Sequence, residues 1–250
     1  FFNPNAVVKG FNIPENIWVL KVVKDKADNI WILTRNKGLF CYNKVLQKMC
    51  SLKFEGEKPN IISLSWDNNG QLWACSEKVL YKQTAEGIFG AFAAKDFLQQ
   101  PSSSIADMNI VNGMLWVVSN TGHIQILEVS KNNSITTSSF EKKFSGRKYL
   151  ADARLMHQSD NNTVWVGSRS EGLIKVSLQS ATFEHAAAYQ NEYALQRQFI
   201  LSFFTSSQRI TWIGTSGGGI AKYDAAKPQF GLWRSNFFKP DGTANDNMIL

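Results

Sequence analysis

No stretch of this 250-residue chain approaches the ~18 consecutive apolar residues needed to cross a bilayer. Cysteine is scarce too: the three present cannot all pair with one another, and neither a Cys-x-x-Cys nor a His-x-x-x-His spacing exists to hold a metal. No metal site and no cofactor are expected. Acidic residues are outnumbered, 20 against 27 basic ones, for a formal net charge of +7. That surplus favours anionic partners such as nucleic acid, a membrane surface or acidic glycans. The charges are mostly scattered, however, which is also the pattern of general solubility. The chain opens on "FFNPNAVVKG" without an initiator methionine or a charged-then-apolar leader, so no targeting signal is legible and truncation is expected.

At 44% hydrophobic content the chain is neither disordered nor collagen-like. A chain of this length buries roughly three quarters of its unfolded surface, so one large domain stands without metals or disulfides. Cys41 and Cys50 flank a tight hairpin and can face one another across it, although adjacent-strand disulfides demand unusual geometry. Whether they pair stays open at this level. Cys75 sits in a strand and reads as a small buried hydrophobe.

The chain repeats itself. Five segments align on a tryptophan: "NIWILTRNKGLFCY", "QLWACSEKVLYK", "MLWVVSNTGHIQIL", "TVWVGSRSEGLIKV" and "ITWIGTSGGGIAKY". Trp31, Trp73, Trp116, Trp165 and Trp212 are spaced 42, 43, 49 and 47 residues apart. Three residues after each stands a hydroxyl, Thr34, Ser76, Ser119, Ser168 or Thr215, expected to bond backbone at the start of a turn. A glycine follows in four copies, at Gly38, Gly122, Gly172 and Gly219, and the second copy lacks it. Each segment is preceded by a short apolar or alternating run, such as "IWVLKVVKD" or "FILSFFT", and by a polar turn such as "DNNG" or Asn112-Gly113. These runs are β-branched and aromatic, which suits strands. A third strand such as "GLFCYN" and a looser fourth one, "KMCSLKF" in the first copy, complete the unit.

Four antiparallel strands at this period predict the blade of a β-propeller, with the repeated indole filling the space between blades. The repeat also disposes of the glycine run in "TSGGGIAKYD". A phosphate-cradling loop needs a following helix, whereas this run leads into a strand and Gly219 fills a turn position that other copies share.

The pattern "D-x-x-G-x-L-W-[IV]-G-T-x-x-G-[LI]-x-x-Y" resembles the two-component regulator propeller repeat. It is carried by "DNNGQLWACS" at 67–76, "ITWIGTSGGGIAKYD" at 210–224 and "NIWILTRNKGLFCYNK" at 29–44. The tail "KPDGTANDNMIL" looks like that family's linker into a further copy. The third and fourth copies depart from the pattern, placing Ile110 and Ser159 where the turn Asp belongs. The resemblance implies a periplasmic position outside the inner membrane, ahead of an immunoglobulin-like domain, a membrane helix, a histidine kinase and response-regulator modules. It also implies sensing of oligosaccharides. The sequence holds neither a phosphoacceptor histidine motif nor a receiver pattern, so this chain would be the sensing part alone. Implied partners are an oligosaccharide, the remaining blades and the downstream signalling domains. A homodimer stays open, and neither nucleic acid nor direct membrane contact is expected.

The expected organisation is one propeller segment over 1–250. Residues 1–10 form the outer strand of a preceding blade, and blades cover 11–57, 58–101, 102–147, 148–193 and 194–240. Residues 241–250 begin another. About five blades are visible, and these ends do not close a ring. The expectation is therefore an incomplete ring, seven-bladed within the ~4–8 at which propellers close.

Loops at one end of a rigid scaffold are where binding concentrates. In a propeller, the turns between second and third strands share an end with the blade connectors. They hold Arg35, Asn36 and Lys37, then Asn120 and His123, then Arg169, Ser170 and Glu171. The basic connector "EKKFSGRKYL" adds Lys142, Lys143, Arg147, Lys148 and Tyr149. Arg and Lys beside an aromatic ring offer charge-assisted hydrogen bonds and a stacking face to a sugar. His157 reads as a satisfied core histidine. His185 falls in "FEHAAAYQNEYALQRQF", whose composition is helical, and Glu184 beside it makes no catalytic pair because sequence neighbours diverge. An enzyme, a glycosidase or lyase, is the alternative. It would need two carboxylates about 5–10 Å apart, and the acids Asp25, Asp28 and Asp67 sit in turns of the opposite end. A protein-interaction propeller of the WD type is disfavoured, since no copy carries a Gly-His to Trp-Asp signature.

Overall fold

The computed structural model describes residues 12–14, 16–35, 37–56, 59–85, 87–98, 103–130, 134–144, 152–185, 195, 198–224, 226 and 229–233. Its secondary structure is almost entirely strand, gathered into five antiparallel meanders of four. The first comprises β1 (Val19–Lys24), β2 (Ile30–Thr34), β3 (Gly38–Asn43) and β4 (Lys48–Met49). Next in the chain comes a two-residue strand, β5 (Lys53–Phe54). The second meander is β6 (Ser63–Trp66), β7 (Leu72–Cys75), β8 (Val79–Ala85) and β9 (Ile88–Ala93). The third is β10 (Ile105–Val111), β11 (Met114–Ser119), β12 (Ile124–Val129) and β13 (Ile135–Thr137). The fourth is β14 (Ala153–Gln158), β15 (Thr163–Ser168), β16 (Leu173–Ser177) and β17 (Thr182–His185). The fifth is β18 (Ile200–Thr205), β19 (Ile210–Thr215), β20 (Gly219–Asp224) and β21 (Gln229–Trp233).

The second strand of each copy carries the Trp and is the most deeply enclosed. Every residue of β7 and of β15 is buried. The first strands of the first, fourth and fifth meanders carry a register shift at matching positions, between Val19 and Lys21, Ala153 and Leu155, and Ile200 and Ser202. A bulge there raises the local twist of a short meander.

Two findings differ from the sequence reading. The stretch "KMCSLKF" is not one fourth strand. Lys48–Met49 pairs with β3, whereas Lys53–Phe54 crosses to the second sheet and runs parallel to β9, opposite Ile88 and Phe89. The expected blade boundary at 57 therefore falls beyond a strand that belongs to the next sheet. The cause is Gly87. It sits at φ +69°, and a Cβ there would strike the Ser51 carbonyl, so only glycine lets the connector lie against this edge. The second difference is His185, which is no part of a helix. Thr182–His185 forms a strand antiparallel to β16, with His185 opposite Ile174. Residues 1–10 and 241–250, expected to be strands of flanking blades, lie outside the described residues.

The chain separates into two compact units, residues 1–117 with 129–136, and 118–128 with 137–250. In the first, Trp31 packs with Leu33, Leu39 and Cys41 against Ile61, Leu64, Leu72 and Ala74 of the following meander. The Trp66 ring meets Trp31 edge-on at 6.5 Å. In the second, Trp165 packs with Leu173 against Ile200, Ile213 and Tyr223. The indoles of these two meanders thus fill the space beside the next, each contributing roughly 4–6 kcal/mol at most by burial of apolar area. Trp73 and Trp116 are equally enclosed, and Trp212 is half-buried.

First strands of the first unit also share polar contacts. Ser63 Oγ donates to the Met108 carbonyl, and Ser65 Oγ donates to Asn109 Oδ1 at 2.8 Å. The Lys21 ammonium donates to the Leu64 carbonyl at 3.2 Å. Burial pushes that ammonium below its ordinary pKa, and Asp107 nearby partly offsets the shift.

Candidate functional site

The hydroxyl after each tryptophan closes the turn between second and third strands. Thr34 Oγ1 donates to the Gly38 carbonyl at 2.7 Å and accepts the Lys37 amide. Thr215 Oγ1 donates to the Gly219 carbonyl at 2.8 Å. Ser168 Oγ accepts the Ser170 and Glu171 amides, Ser119 Oγ accepts the His123 amide, and Ser76 Oγ accepts the Val79 amide. Gly38, Gly122, Gly172 and Gly219 all have positive φ, the backbone region these turns need. Gly219 opens strand β20, so no helix follows the glycine run.

The residue after that hydroxyl pins the turn to the entry of the first strand. Arg35 N donates to the Trp18 carbonyl, Arg169 N to that of Asp152, and Ser216 N to that of Phe199. In each case the acceptor lies 13 residues before the copy's tryptophan. Two of these positions carry guanidinium groups, and both rest on aromatic rings. The Arg35 guanidinium lies 5.1 Å from the Trp18 ring centre, and that of Arg169 5.0 Å from the Phe199 ring. Trp18 is 68% exposed, leaving its ring open to solvent. Such pairs contribute about 0.5–1 kcal/mol at exposed sites and hold the guanidinium in place.

Arg35 and Lys37 belong to the first unit, and Asn120, His123 and Arg169 to the second. Lys37, Asn120 and Arg169 are exposed, and His123 is half-buried. Asn36, Arg147, Lys148 and Tyr149 lie outside the described residues, as do the side chains of Lys142 and Lys143. Trp18 and Phe199 were missed in the sequence. The signal that finds them is the fixed offset of 13 residues before the repeat tryptophan.

At the other end, Asp25 and Asp67 spend their carboxylates on their own turns. Asp25 Oδ1 accepts the amides of Ala27 and Asn29, and Oδ2 accepts the Asn29 side chain and the Trp31 indole. Asp67 repeats this with the amides of Asn69 and Gln71 and the Trp73 indole. Burial raises the Asp25 pKa, but the hydrogen bonds from Trp31, Asn29 and Ala27 outweigh it and hold the group below its ordinary value. In the fourth copy Asp160, one place later, accepts the Asn162 and Thr163 amides in place of the missing turn Asp. The histidines are dispersed. His157 on β14 is half-buried, hydrogen-bonds Thr205 Oγ1 at 2.7 Å and stacks on Phe203. His185 Nε2 stands 3.5 Å from Glu171 Oε2. Among the described residues, no three His, Cys, Asp or Glu side chains stand together as a metal-ligating set.

Comparison with solved structures places this architecture. Over 99% of the chain it is similar, with a TM-score of 0.66 and 20% identity, to a domain of B. thetaiotaomicron. That domain is reported as the extracellular domain of the hybrid two-component system BT3049. The fold is a β-propeller.

A second B. thetaiotaomicron extracellular domain, from the hybrid two-component system BT4673, matches 92% of this propeller at TM-score 0.61 and 15% identity. The virginiamycin B lyase of Staphylococcus aureus, in an inactive form with quinupristin, matches 90% of it at TM-score 0.66 and 12% identity, over 72% of the lyase. This propeller spans about a third of the length of the two-component domains, 31% and 33% respectively. At these identities the likeness is one of fold. No protein-family model matches the sequence, and no curated protein matches it. Among the described residues, no helix is long and apolar enough to cross a membrane.

Proposed function

We propose that this propeller is the non-enzymatic sensing part of a hybrid two-component signalling protein, facing the periplasm and reading an oligosaccharide. The observation that carries the reading is the Arg35–Trp18 pair, an exposed indole with a guanidinium fixed over it. A pyranose ring stacks its C–H face on such an indole, while the guanidinium donates to ring hydroxyls or to a sugar carboxylate or sulfate. Arg169 on Phe199 offers a second platform of the same design. The likeness to two extracellular domains of two-component systems supports the reading at the level of fold.

The glycosidase or lyase alternative has less behind it. A carboxyl serving as general acid needs a raised pKa. Asp25 is held low and spends all its acceptor capacity on its own turn. Signal transfer would run into further blades and downstream kinase and regulator domains, in a monomer or a homodimer.

Calorimetric titration against neutral and sulfated oligosaccharides tests the proposal. Binding is expected, with Arg35→Ala or Trp18→Ala weakening it about ten-fold or more. Turnover of a model glycoside, or binding untouched by both substitutions, overturns it.

A further inference from the structure

Packing between neighbouring meanders follows one rule of position. Trp31 shares a core with Ile61 and Leu64 of the second meander, which stand 12 and 9 residues before Trp73. Trp165 shares one with Ile200 and Phe203 of the fifth, again 12 and 9 residues before Trp212. The receiving side also takes the residue after its own tryptophan, Ala74 or Ile213. The delivering side adds the residue paired opposite its indole. Val23, opposite Trp31, joins the core it shares with the second meander. Ser65, opposite Trp73, donates to Asn109 of the third, and His157, opposite Trp165, stacks on Phe203 of the fifth.

One receiving face and one delivering face obey this rule yet stay open to water. In the first meander the receiving positions are Val19 and Val22, 12 and 9 residues before Trp31. They are 49% and 59% exposed, whereas Ile61, Leu64 and Ile200 are at most 1% exposed. The rest of that face is already packed, with Ile32 and Tyr42 buried against Ile13 from the strand entry. Leu195 joins the receiving face of the fifth meander in the same way while Trp165 fills the remainder. Ile13 therefore leaves the place of the indole open. In the fifth meander the delivering position opposite Trp212 is Phe204, which is 62% exposed. Large apolar side chains left bare at a position that is otherwise an interface mark a docking surface.

We propose that two copies of this chain associate head to tail, the Phe204–Trp212 face of one seated on the Val19–Val22 face of the other. The positional rule selects this occupant. A receiving face accepts a strand bearing an indole together with the residue paired opposite it, and the fifth meander carries both on its bare side. The contact repeats, between copies, the interface already built between the first and second meanders and between the fourth and fifth. It is heterologous: a face on one copy meets a different face on the next. No sugar takes part, so the contact stands whether or not the Arg35–Trp18 pair binds one.

Sedimentation velocity of the chain and its variants tests the proposal. The mass of the wild-type species is expected to rise with concentration from that of one chain to twice that value or beyond. Val22→Lys and Phe204→Lys each place an ammonium on one face, at side chains that are exposed in the single chain. Each variant alone is expected to stay at the mass of one chain. Mixed in equal amounts they are expected to form a two-chain species, because the intact Phe204 face of one meets the intact Val22 face of the other. That recovery also shows both variants to be folded. Val45→Lys, at an 80%-exposed turn residue outside both faces, leaves association as in the wild type. The proposal is overturned by a wild-type chain that stays single at every concentration or by association that survives either face substitution. It is equally overturned by a mixture that remains single chains, or by loss of association in Val45→Lys, which would mark the contact as unspecific adhesion.

Discussion

The Asp25 carboxylate and the Trp31 indole N–H meet at 2.8 Å, and the same oxygen also takes the Asn29 amide group. One side chain thereby fastens the turn between β1 and β2 to the residue that fills the space beside the second meander. Asp67 and Trp73 make the same link at 3.3 Å.

Replacing Asp25 by Ala strands the indole N–H and two turn amides at once. Losing a charge-assisted hydrogen bond while leaving its donors unmet costs about 2–3 kcal/mol. Urea unfolding followed by tryptophan fluorescence is expected to show that loss. A change below about 0.5 kcal/mol would mean the link is ornamental.

Acid should reach the same joint by titration. Folding lowers the Asp25 pKa. The stability it contributes is therefore fully present above the unfolded-state value, near 3.8, and is lost as pH falls through the lower folded-state value. The wild-type protein is expected to lose stability below about pH 4 more steeply than Asp25→Asn, which cannot titrate there. Parallel acid profiles for the two proteins would count against the assignment.

Cys41 and Cys50 are disulfide-bonded across a Cα separation of 5.1 Å, with the Cys50 amide donating to the Cys41 carbonyl. Reduction frees a loop of nine-residue separation, worth about 2–3 kcal/mol by chain entropy. The melting temperature should fall by about 5–10 °C. Alkylation of the native protein labels Cys50 only after reduction. Cys75, fully buried with its thiol pushed well above the ordinary pKa by burial, stays unlabelled in both states. Labelling of Cys50 without reductant would show that the bond does not form.

Thr34→Val keeps the shape of a fully buried side chain and removes its hydroxyl. The Gly38 carbonyl and the Lys37 amide both lose their partner. A cost of about 1–3 kcal/mol is expected from denaturant unfolding. An unchanged midpoint would mean water replaces the hydroxyl freely.

The five meanders were legible because the tryptophan and its hydroxyl recur at a spacing that only a stacked repeat explains. The hydroxyl's contact with turn backbone was readable for the same reason: it is local. What lay beyond the sequence depends on chain segments that approach from a distance. Trp18 and Arg35 are 17 residues apart and meet because strand entry and turn share an end. His185 sits in a stretch of helical composition, yet pairing with β16 decides its conformation. The Cys41–Cys50 bond could not be settled from spacing, since it depends on how β3 approaches the connector.

The short parallel strand Lys53–Phe54 has a practical corollary for anyone dividing this protein into its repeats. A fragment ending at residue 57 carries away the outermost strand of its neighbour and leaves the Ile88–Ala93 edge bare. Excising the second repeat as a self-sufficient piece therefore requires starting at residue 51 or earlier, so that it keeps the ribbon sealing its flank against sticking to other copies.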